Sequence, residues 1–120
     1  MSVSPAHELA EALDAEDYDR VQAVLHLECV YTCRGETYVG PQKIIGSYAG
    51  NSEAAHRFDR ISYRSEVELV GDDLARIVFY DDIEYKGRSF TFRSHQDIEF
   101  GNGQVLRIQH VDEPGMREAL

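Results

Sequence analysis

The sequence predicts an α+β fold: helices first, then one long antiparallel sheet that curves around them. Three observations carry that expectation. Residues 58–112 fall into four extended runs of alternating character. Tight turns join those runs at Gly71-Asp72-Asp73, Lys86-Gly87-Arg88 and Gly101-Asn102-Gly103, so the runs form a meander. The first half carries apolar stripes at helical spacing and a single strand. Helices on one side of a curved sheet enclose a pocket.

Each element has a local reason. Ser4 is a good N-cap with Pro5 at the first helical position, and Leu9, Ala12 and Leu13 form the apolar stripe of the first helix. Asp17 opens a second short helix with Tyr18, Val21, Val24 and Leu25 on its inner side. Residues 27–33 alternate like a strand. Gly35 and Gly40 mark turns, and Pro41 starts a third helix carrying Ile44, Ile45 and Tyr48, which fades near Gly50 and Asn51. After the meander, residues 113–120 read as a loose tail. No repeat or low-complexity segment divides the chain, so a single domain over 1–120 is expected.

Composition narrows the function. A chain of 120 residues with 42% hydrophobic content can bury a core without disulfide staples. Twelve basic against 22 acidic residues give a net charge of −10, which repels phosphate backbones and anionic lipid. Nucleic-acid and membrane roles are therefore disfavoured, and no apolar stretch approaches the roughly 18 residues of a membrane span. The start, Met1-Ser2-Val3-Ser4-Pro5, lacks the basic and apolar segments of a signal peptide, so a cytoplasmic location is expected. Cys29 and Cys33 lie on one strand, where about 3.3 Å per residue puts their Cα atoms about 13 Å apart, beyond the ~7 Å reach of a disulfide. With no Cys-x-x-Cys pair and five scattered histidines, no metal site is expected.

Parity along the strands sorts the two faces of the sheet. Ile77, Phe79, Asp81, Ile83 and Tyr85 share one face; Phe90, Phe92, Ser94, Gln96, Ile98 and Phe100 share it on the next strand. Leu106, Ile108, His110 and Asp112 are in phase on the last. The apolar set belongs on the concave, helix-covered face, which leaves Asp81, Gln96 and His110 where apolar residues are wanted. Burying an ionisable group costs free energy unless it is paired. Asp81 between Phe79 and Ile83 should therefore have a raised pKa, which suits a base or acid near neutral pH. His110 can shuttle a proton or orient a carbonyl. The turns place Asp81 opposite about Phe92 and His110 opposite about Ser94, two strand spacings or about 10 Å apart. The bland alternatives are a satisfied core histidine, a structural Gln96, tyrosines 31, 48 and 63 packed with hydroxyls on partners, and Cys33 as a small hydrophobe.

The stretches ELAEALDAEDYDRVQAVL, YVGPQKIIGSYAGNS, DDIEYKGRSF and HQDIEFGNGQVLRIQHV, in that order, resemble the nuclear-transport-factor-2-like superfamily. The resemblance is greatest to its branch of SnoaL-like polyketide cyclases and ketosteroid isomerases, and it covers about residues 6–113. It implies a cone-shaped, cystatin-like α+β barrel around three N-terminal helices, and commonly a homodimer. It implies chemistry without a cofactor. The isomerases carry a tyrosine, an aspartate base and a protonated aspartic acid where this chain has Leu9, Cys33 and Gln96; of these, Gln96 alone can still donate a hydrogen bond to an oxyanion. The same resemblance places Tyr48, Phe79, Asp81, Ile83, Ile108 and His110 on the cavity wall.

Two functions follow. One is a cofactor-independent isomerase, cyclase or dehydratase acting on a small apolar carbonyl compound, with Asp81 and His110 catalytic and Tyr48, Gln96, Phe79, Ile83, Cys33 and Ile108 as substrate contacts. The other is a non-catalytic ligand-binding or homodimeric interaction domain. A closed, roomy pocket with Asp81 and His110 around it favours the first; one filled by Phe79, Phe92 and tyrosines favours the second. The opposite, polar face of the sheet, with Arg76, Tyr80, Asp82, Arg93 and Asp97, reads as a charged dimer interface that should weaken as salt rises.

Overall fold

The structure, a computed structural model, describes residues 4–113 and 117–119. The reading of Met1, Ser2 and Val3 lies outside the described residues. Helix α1 (Pro5–Asp14) starts on Ser4, whose hydroxyl accepts the His7 amide, and buries Ala6, Leu9, Ala10 and Ala12. It ends by a reciprocal pair of bonds, Glu16 N–H to Leu13 O and Asp17 N–H to Ala12 O, with Glu16 at φ 53°. Glycine is the usual residue at that left-handed position, so Glu16 holds it at a cost of roughly 1 kcal/mol. Asp17 then caps α2 (Tyr18–Val24) by accepting the Arg20 amide.

The chain passes directly from α2 into β1 (Leu25–Cys33), two residues earlier than alternation indicates. A register shift between Leu25 and Val30 explains the difference: Leu25, Cys29, Tyr31 and Cys33 point inward while Leu27 is 81% exposed. A two-residue turn at Arg34 and Gly35, both at positive φ, returns the chain as β2 (Glu36–Val39). That strand was not expected, because four residues without an apolar alternation give no period to read. Helix α3 (Pro41–Ala55) runs past Gly50 to Ala55 rather than fading there. Its last turns are held by Ser52 and His56, both bound to the Glu16 carboxylate.

The meander consists of β3 (Arg60–Leu69), β4 (Leu74–Tyr85), β5 (Arg88–Gly101) and β6 (Gln104–Asp112), all antiparallel. β1 joins its far side in parallel, giving a mixed sheet in the order β2-β1-β6-β5-β4-β3. The result is the expected α+β architecture, three helices against a curved, unclosed sheet. The tail is not loose throughout: β7 (Arg117–Ala119) pairs with residues 89–91 of β5, beyond the point where β6 leaves it.

A bulge at Glu99 and Phe100 resets the last hairpin. It turns Val105 into the core and leaves Leu106 37% exposed, so Leu106 is not in phase with Ile108. Together with the two-residue turn at Asn102-Gly103 it puts His110 opposite Gln96 instead of Ser94, while Asp81 does lie opposite Phe92. The core of Leu9, Ile44, Ile77, Ile98, Val105 and Ile108 closes one end of the curve. The other end opens.

Candidate functional site

Between α1, α3 and the concave face lies an inner cavity of about 140 Å³. It shares Asn51, Ala55, Asp81, Ser94 and His110 with an outer vestibule of about 590 Å³. The cavity is open, not filled: Phe79 and tyrosines wall it, and Phe92 is 42% exposed at the vestibule.

Register gives the cavity two ends. Asp81 on β4 lies opposite Tyr63 on β3 and Phe92 on β5; Gln96 lies four residues further along β5, opposite His110 on β6. Four residues of strand are about 13 Å, so the expected 10 Å backbone separation of Asp81 and His110 is too short. They border one cavity from opposite ends.

At the first end, burial pushes the Asp81 carboxyl up to about 6, with the charges of Asp14 and Asp82 adding to it. No side chain among the described residues donates a hydrogen bond to Asp81. Asp14, in the last turn of α1, accepts a 2.6 Å bond from the Ser65 hydroxyl through Oδ2, and its Oδ1 is buried without a partner. Burial raises the Asp14 pKa more than that bond lowers it. Glu16 also lines this end; burial pushes its pKa up, but the bonds from Ser52 and His56 prevail and hold it low.

At the second end, hydrogen bonds form a chain. The Tyr48 hydroxyl donates to Gln96 Oε1 at 3.0 Å, which turns the Gln96 amide nitrogen toward His110 Nδ1 at 3.2 Å. His110 Nε2 then donates to Asp112 Oδ1 at 2.8 Å, and Arg34 grips the same carboxylate with bonds of 2.6 and 2.9 Å. The network assigns His110 as the neutral Nε2–H tautomer. The Arg34 bond, more than His110, holds Asp112 below the ordinary carboxylate value. Gln96, 2% exposed, keeps one N–H for a ligand. Both His110 nitrogens are engaged, so the ring orients Gln96 and offers a ligand no free nitrogen.

Of the residues singled out in the sequence, Asp81, His110, Tyr48, Gln96 and Phe79 line the inner cavity. Ile83 borders the vestibule. Cys33 and Ile108 reach neither space: Cys33 is buried at the end of β1, and Ile108 packs in the core opposite Ile98. Asp14 and Glu16 were missed. A carboxylate in the last turn of a helix, where the macrodipole opposes it, was the available signal for Asp14.

Similar structures are numerous. A candidate polyketide cyclase from Sinorhizobium meliloti superposes with a TM-score of 0.66 at 17% identity, over 88% of this chain and 92% of its own. A protein with a ketosteroid isomerase-like fold from Catenulispora acidiphila, in complex with trimethylamine, gives 0.71 at 14% identity, over 95% and 88%. The chain has a nuclear-transport-factor-2-like fold. An LEH-like epoxide hydrolase from M. tuberculosis is also similar, with a TM-score of 0.64 at 17% identity over 91% of this chain and 80% of that one. No protein-family model and no curated protein matches the sequence. Among the described residues, no group of three or more His, Cys, Asp or Glu is placed to hold a metal ion, and no helix is long and apolar enough to cross a membrane.

Proposed function

We propose that this nuclear-transport-factor-2-like domain is a cofactor-independent acid–base enzyme, an isomerase, cyclase or dehydratase acting on a small carbonyl compound. The observation that carries the reading is Asp81, a carboxylate without a hydrogen-bond donor, raised to about 6 and facing an open cavity. Such a group is a competent base at neutral pH. Asp81 takes a proton from the carbon next to the carbonyl. The C–H electron pair becomes the C=C bond of an enolate while the C=O π pair moves onto oxygen, which accepts the free Gln96 N–H. Asp81 returns the proton to another carbon in an isomerisation; in a dehydration the enolate expels the β-hydroxyl, which takes the proton from Asp81 and leaves as water. Tyr48 and His110 act by fixing the Gln96 amide, and Asp112 with Arg34 fixes His110. A protein of similar fold has been crystallised in complex with trimethylamine, which supports small-molecule binding as a use of this fold.

The test is hydrogen–deuterium exchange at the α carbons of small cyclic ketones and enones in D₂O, followed by NMR. The expected result is exchange that rises as pH passes about 6, because the base works when ionised, and that Asp81→Asn lowers at least about 100-fold. Ligand binding without exchange in the wild type leaves the non-catalytic binding domain as the reading. We further propose that the polar face of the sheet pairs with a second copy of the chain.

A further inference from the structure

Three carboxylates line the inner cavity, and among the described residues no lysine or arginine does. Three arginines border the outer vestibule: Arg34, bound to Asp112, Arg93, bound to Glu113, and Arg57. Three separate observations point to what the cavity lacks. Among the described residues no side chain donates a hydrogen bond to Asp81, and Asp14, bound by Ser65 through Oδ2, has no partner on Oδ1; a carboxylate so placed costs free energy when ionised until a counter-charge arrives. The walls beside these carboxylates are aromatic: Tyr18, Tyr63 and Phe79 line the same cavity. Tyr63 stands directly across the strand pair from Asp81, and the negative charges of Glu16 and Asp81 help raise its pKa, after burial. A cation held against an aromatic face gains about 0.5–2 kcal/mol, more as water is removed.

We propose that the Asp14–Asp81 end of the cavity binds a small organic cation, an alkylated or primary ammonium group carried by the ligand. This rests on the cavity being the ligand site proposed above, and it names the substrate class: a carbonyl compound that bears an ammonium head. The charge also answers a difficulty in the chemistry. An enolate on an otherwise neutral ligand would form in a cavity whose other end already holds the carboxylates of Asp14 and Glu16. An ammonium on the same ligand offsets that repulsion, and it seats the ligand with its carbonyl toward Gln96. The same charges disfavour an anionic group at that end of the cavity.

Isothermal titration at about pH 7.5 and low salt tests this with choline and tetramethylammonium against 3,3-dimethylbutan-1-ol, the neutral isostere of choline. The expected result is cation binding at least about tenfold tighter than the neutral isostere, and at least about fivefold weaker in Asp14→Asn and Asp81→Asn. Comparing the two ligands on the wild type needs no variant to fold. Equal or tighter binding of the neutral isostere overturns the proposal, and so does no cation binding at concentrations up to about 50 mM. Deuterium exchange separates the two readings. Cation binding without exchange removes the acid–base function and leaves the cation site. Exchange on neutral ketones without cation binding does the reverse.

Discussion

Asp81 owes its reactivity to a cost that the fold accepts. Its folded carboxyl titrates near 6 because burial and the neighbouring carboxylates penalise the charge, whereas in the unfolded chain it titrates near the ordinary value of 3.8. Below about pH 3 the group is neutral in both states and costs nothing. Stability is lost as pH rises from about 4 through 6, and the loss is constant above that. Solvent that still reaches Asp81 holds the effect to about 1–2 kcal/mol. Asp81→Asn should therefore match the wild type near pH 3 and exceed it by that amount near pH 7.5, measured by urea unfolding at both values. An equal difference at both pH values would show that the amide acts through packing. Tyr48 makes the opposite trade. Its buried hydroxyl supplies the donor that orients Gln96. Tyr48→Phe should cost about 1–2 kcal/mol and free the Gln96 amide to turn. A change in the ¹⁵N shifts of His110, away from the neutral Nε2–H pattern, would report that turn; unchanged shifts would mean that the histidine is set by Asp112 alone.

Turn chemistry sets the elements. Lys86-Gly87 and Asn102-Gly103 both take positive φ at two successive residues, at 52° and 77° in the first and 53° and 78° in the second. That geometry matches the twist of the flanking strands, and it is why the β4–β5 and β5–β6 hairpins were legible. Gly103→Ala should destabilise by about 1 kcal/mol, read as a lower thermal midpoint with the native sheet signal unchanged. No loss would show that the turn relaxes to another type. What the sequence hid has a physical cause in each case. The bulge opposite Glu99 and Phe100 adds one residue to β6 and so reverses the parity of everything beyond it, which sent Leu106 outward and shifted His110 by one position along β5; the two-residue turn at Asn102-Gly103 accounts for the other. The full length of α3 depends on Glu16, 36 residues before Ser52 and 40 before His56, and local propensity carries no trace of such a contact. Asp81, Gln96 and His110 could be found because each breaks an apolar phase within its own strand. Asp14 breaks no phase; its role depends on Ser65 and Asp81, which only the folded chain brings to it.

At the scale of the molecule, charge is sorted by face. The concave side gathers Asp14, Glu16 and Asp81 around the cavity, while arginines on the opposite face are already paired within the chain, Arg64 with Asp82 at 2.9 Å and Arg76 with Asp97 at 2.8 Å. Arg64 also lies 4.2 Å over the Tyr80 ring. This pairing changes what the proposed dimer should do in salt. Sequence alone pointed to charge pairs between copies, which salt would weaken. With those arginines satisfied in the chain, each exposed pair offers a second copy only about 0–1 kcal/mol, and exchanging partners gains less still. The repulsion between two chains of net charge −10 has no such offset. Screening shortens its range from about 30 Å at 0.01 M salt to about 3 Å at 1 M. Raising salt should therefore strengthen association through this face. Sedimentation velocity from about 0.02 to 0.5 M NaCl should show the dimer fraction rising. A falling fraction would mean that ion pairs between copies outweigh the net charge. A monomer at every salt concentration would remove the dimer and leave a single chain whose polar face is solvated.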